Sequence, residues 1–111
     1  MPPKISATTD RQAAILNLTL AEELLASHFA KYRVMSYSDL ADMIIRGEVD
    51  TCATDVSGVV YQFEFQFFWD DEPYNEIRVV GCVFNDPRGI RVKDDFILLP
   101  SGEFAVKRRV T

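Results

Sequence analysis

The sequence predicts an α+β fold, with two N-terminal helices packed on one face of a three- to four-stranded antiparallel meander. Three observations carry this reading. Apolar residues recur at three- and four-residue steps as far as Arg46, the period changes to two after Gly58, and the later segments are short and separated by Gly and Pro turns. Each helix stripe needs an apolar surface to cover, and a sheet with one apolar face supplies it in two layers.

Element by element, Ala14, Ile15, Leu18, Ala21, Leu24, Leu25 and Phe29 line one face of a helix from Asp10 to about Lys31. Thr19 and Glu22 have capping-box spacing, so residues 10–18 form either its first turns or a separate turn or shorter helix. Ser38 is placed to cap a second, short helix that carries Leu40, Met43 and Ile44 and ends at Gly47. An irregular link follows, with a short strand at Val49 to Ala53 and a turn at Ser57-Gly58.

Val59, Tyr61, Phe63, Phe65, Phe67 and Trp69 then alternate with Gln62, Glu64 and Gln66, which predicts a strand with one buried face. DEPYN turns the chain into a second strand around Ile77 to Phe84. After the Asn85 to Gly89 turn, strands are expected at Ile90 to Lys93, Phe96 to Leu99 and Phe104 to Val110, the last two joined through Pro100-Ser101-Gly102.

A chain of 111 residues with 48% hydrophobic content is the size and composition of one globular domain. Residues 1–9 mix Pro, Ser and Thr and read as a partly mobile tail, leaving 10–111 as a single α+β domain. Cys52 and Cys82 lie far outside CxxC spacing and read as reduced thiols. With no signal-like N-terminus and no apolar run of membrane-spanning length, a cytoplasmic protein without a membrane partner is expected.

The net charge of −5 is unevenly spread: residues 39–76 carry −9, residues 77–111 carry +3. Acids in this excess disfavour a nucleic-acid backbone and suit a basic protein partner, such as a toxin or nuclease domain, or self-association.

Trp69, Asp70, Asp71 and Glu72 are the candidate contact surface. Carboxylates in sequence can also perform acid–base work or hold a divalent ion, but the stretch lacks the oxygen ligands and glycine of a calcium loop. The plainest reading is a core strand that ends in solvated acids. One histidine and two distant cysteines do not make a zinc site, so neither metal nor cofactor is expected. A Cys nucleophile beside His28 requires the two to meet in space, and burial of free thiols is the simpler account. Gly81, in mid-strand, marks a bulge, a close approach of helix to sheet, or room for a small ligand. Val60, Phe68 and Phe84 fall on the side away from the helices and would form a dimer patch if exposed.

Phe68 to Asp71 and Asp94 to Phe104, within FEFQFFWDD … IRVVGCVFNDPRG … DDFILLPSGEF, resemble the C-terminal half of small uncharacterised bacterial proteins with an FWDD strand end and a DDFI-x-x-P-x-G-x-F hairpin. The resemblance spans about residues 60 to 105 and implies a common sheet with no activity attached. In outline, helix followed by meander is also similar to cystatin-like folds, which host both enzymes and binders. The sequence thus favours a non-enzymatic interaction module with an acidic surface. The alternative is a small-molecule binder or enzyme with a pocket between helix layer and sheet.

Overall fold

The structure, a computed structural model, describes residues 17–85, 89 and 91–105. The expected tail at 1–9, the helical turns expected at 10–16, most of the turn at 86–88 and the strand expected to run on to Val110 lie outside the described residues.

Helix α1 spans Leu18–Arg33, and the Leu20 amide donates to Asn17 Oδ1 at 3.0 Å to cap it. The cap is therefore Asn17, and Thr19 lies within the first turn. Ala21, Leu25, Phe29 and Tyr32 are buried, so the stripe runs one turn further than Phe29, whereas Leu18 is half exposed. Helix α2 spans Tyr37–Arg46. Its cap is Ser36, whose Oγ accepts from the Asp39 amide at 3.1 Å, and not Ser38. Starting two residues earlier places Tyr37 in the helix, where its hydroxyl reaches the β2–β3 turn. Gly47, with φ of +68°, ends α2 in the left-handed conformation that glycine tolerates.

Four strands follow, β1 (Asp50–Val56), β2 (Val59–Trp69), β3 (Ile77–Phe84) and β4 (Val92–Leu98), forming one antiparallel sheet in the order β1-β2-β3-β4. Strand β1 is longer than the Val49 to Ala53 segment read from sequence. Ser57 and Gly58 both have positive φ, the signature of a two-residue hairpin that matches strand twist, and this turn sets Cys52 opposite Phe63 and Asp50 opposite Phe65. Two strands expected at 90–93 and 96–99 are one, β4. Beyond it, Leu98 bridges Phe104, and the Ala105 amide donates to Ile97 O at 2.9 Å.

Both helices cover the face bearing the β2 aromatics, α1 over β3 and β4 and α2 over β2 and β3. Phe63, Phe65, Ile77, Val79 and Val83 are essentially solvent-free there, and no described polar or charged residue is buried. Gly81 explains the fit. A methyl group on it would lie 2.6 Å from Phe65 Cε1 and 2.8 Å from Phe29 Cζ, so two rings occupy the space that a side chain would take. The close approach is of helix to sheet, and the space beside Gly81 is filled. No helix among the described residues is long and apolar enough to cross a membrane.

Candidate binding surface

Strand β2 ends with Trp69 half buried against the core and Asp70 just beyond. The Asp70 amide donates to Glu76 O at 2.8 Å, which extends the ladder by one rung before the chain turns. Its carboxylate accepts from Arg78 Nε at 2.7 Å, and the other arm of the guanidinium pairs with Asp95 on β4. Arg78 is thus a clamp across three strands on the face away from the helices, and the hydrogen bond to Asp70 leads the causes that raise its pKa.

Asp71 and Glu72 are different. Both are exposed, and among the described residues neither has an ion-pair partner. The adjacent Tyr74 is 68% exposed, adopts a left-handed φ of +65°, and sets its ring 5.1 Å from that of Trp69. A bulky residue in that conformation is uncommon. The four residues singled out from sequence therefore divide into a core aromatic, a clamped acid and two free acids, with Tyr74 as a member that the sequence did not flag.

The turn is tied to α2, because the Tyr37 hydroxyl donates to Asn75 O. Asp39, in the first turn of α2, and Asp42 are exposed, again with no ion-pair partner among the described residues. They line an open groove of about 400 Å³, with Met35 and Met43 supplying its apolar part. Glu48 and Asp50 complete the acids of the groove, where Glu48 is paired with Arg46 and Asp50 with Lys31 at 3.8 Å. Asp50 also accepts from the Tyr32 hydroxyl at 2.8 Å, and burial, with that hydrogen bond, holds the Tyr32 phenol well above its ordinary pKa.

His28 and Cys52 do meet, with Nδ1 and Sγ 3.8 Å apart and the imidazole 4.2 Å from the Phe63 ring. Their electrostatics run against a nucleophile. Burial and Lys31 lower the His28 pKa, while burial foremost raises that of Cys52, so both are held neutral where a reactive pair would be thiolate and imidazolium. The hairpin register contained part of this contact: a two-residue turn at 57–58 sets Cys52 opposite Phe63. The path of α1 over that position did not follow from spacing.

Val60 and Phe68 are exposed on the open face, at 45% and 44%, but lie eight residues apart on β2, roughly 27 Å along a strand. Phe84, which would join the patch only if exposed, is 5% exposed, and the Arg91 guanidinium sits 4.1 Å from its ring centre. The three do not form one patch. No group of three or more metal-ligating side chains occurs among the described residues. Compared with known proteins, the chain matches no family model, no curated protein and no solved structure.

Proposed function

We propose that this protein is a non-enzymatic interaction module whose acidic surface, running from the β2–β3 turn onto α2, receives a basic protein segment. The observation that carries the reading is the Tyr37–Asn75 hydrogen bond, which joins the turn bearing Asp71 and Glu72 to the helix bearing Asp39 and Asp42. Four free carboxylates in a connected array steer a cationic partner over distances comparable to the Debye length. Tyr74 and Trp69 add rings against which an arginine or lysine stem can stack, a contact worth about 0.5–1 kcal/mol at an exposed site. Clamped by Arg78, Asp70 belongs to the framework under this surface.

The pocket reading has less support, since the space between the layers is occupied by Phe29, Phe63, Phe65 and their neighbours. The neutral His28–Cys52 pair favours no chemistry either.

The test is capture from native lysate at low and high salt, with wild type beside Asp39→Asn/Asp71→Asn/Glu72→Gln and beside Tyr74→Ser. A basic protein held by wild type at low salt, released by salt and missing from the charge-neutral variant is the expected result. If the variant captures the same proteins as wild type, the acidic surface is not the contact.

A further inference from the structure

The two edges of the sheet are unlike. At β4, the chain returns through Phe104 and Ala105 onto Ile97 and Leu98, and the rest of the strand carries Lys93, Asp94 and Asp95. Charges and a covering segment are the usual means of blunting an edge. At β1 the only charges are Asp50 and Asp55 near the two ends, and among the described residues no segment covers it. Among the described residues no strand pairs with its outer side, its middle is the small, exposed run Thr51, Cys52 and Ala53, and it contains no Pro, Lys or bulge.

We propose that β1 pairs with β1 of a second copy of this chain, antiparallel and centred on Ala53, to make one eight-stranded sheet. Sheet geometry and two features of the strand fix the register of such a pair. Residues directly opposite each other in an antiparallel pair point to the same face. A pair of copies with both helix layers on one side is therefore limited to registers that match odd with odd and even with even. Asp50 lies on the helix-side face, opposite Phe65, whereas Asp55 lies on the open face, opposite Val60, so the two acids of the strand never oppose each other in an allowed register. Of the allowed registers, the one about Ala53 overlaps all seven residues of β1.

In that arrangement Thr51 faces Asp55 of the second copy, where its hydroxyl can donate to the carboxylate, and the contact occurs twice by symmetry. Asp50 faces Val56. The two Asp50 residues, which mark the acidic grooves, stand about six residues or roughly 20 Å apart along the strands, beyond a Debye length of ~8 Å at physiological salt. In this register no acid of β1 stands directly opposite another acid. Association moves from the open face, where Val60, Phe68 and Phe84 were expected to meet, to the edge. The inference is independent of the basic-partner reading.

The test is sedimentation equilibrium over a range of protein concentrations, on wild type and on Ala53→Lys. Ala53 is exposed on the open face, so lysine fits the monomer, but in the pair it sets two ammonium groups directly opposite. Wild type should dimerise as concentration rises, and the variant should stay monomeric with an unchanged melting temperature. A monomeric wild type throughout, or a dimer that Ala53→Lys leaves intact, overturns the proposal. Should the lysine variant not fold, Ala53→Cys in a Cys52→Ser background decides, since cysteines at the two-fold axis form a covalent dimer on mild oxidation. A dimer that does not cross-link in this way also overturns it.

Discussion

The face of the sheet under the helices and the face turned away from them are made by the same four strands with different forces. Under the helices, Phe65 packs against Phe29 edge to face at 5.5 Å and against Tyr32 at 4.9 Å, and Gly81 yields its side-chain space to the same rings. On the open face, Arg78 spans Asp70 and Asp95, while Arg91 covers Phe84 and lies 3.9 Å from Glu64. Packing is short-ranged and indifferent to salt. Arginine clamps are partly exposed, screened by salt and individually weak. Stability should therefore reside on one face, leaving the other free to change.

That contrast can be broken most forcefully at Phe65. Replacement by Ala should cost about 4 kcal/mol, read from the urea midpoint, and the loss should be unchanged in high salt. Gly81→Ala should follow at about 2 kcal/mol, because the methyl displaces two buried rings; a neutral effect would mean that Phe65 and Phe29 can shift without loss. On the open face Arg78→Gln should cost only about 1 kcal/mol, and the difference from wild type should shrink in 1 M salt. An equal loss at both salt concentrations would place the clamp with the packed face.

The smallest effect belongs to pH. His28 has a lowered pKa in the folded protein, so the unfolded chain takes up a proton first as pH falls. Its contribution is complete above about 6.5 and is lost as pH drops through that value toward the lower folded pKa. Thermal melts at pH 8 and pH 5.5 should thus differ less for His28→Gln than for wild type. No difference between the two proteins would mean that His28 is solvated as freely in the fold as outside it.

These differences track how local each interaction is. The alternation in β2 and the Ser57-Gly58 turn are properties of neighbouring residues, and the architecture could be read from them. The sequence places the cap of α2 at Ser38, but the Asp39 amide donates to Ser36 Oγ, a choice between two nearby serines that depends on where the helix starts. Whether Phe84 is exposed could not be read from sequence, because Arg91, which stacks on its ring, lies seven residues further along the chain. Asp70 looked equivalent to Asp71 for the same reason, since its partner Arg78 is eight residues away on another strand. The distinction between a framework acid and a free one is tertiary, and no spacing rule contains it.

The unequal edges have a last consequence, for solubility at high concentration. A sheet with two open edges can add copies at both ends and grow into a fibril. Here the end of β4 is covered by the return through Phe104 and the strand carries charges, so among the described residues β1 is the more open edge, and the proposed β1 pairing would use it up. If β1 pairs as proposed, removing the return would open a second edge, and pairing that ends at two copies would become able to continue.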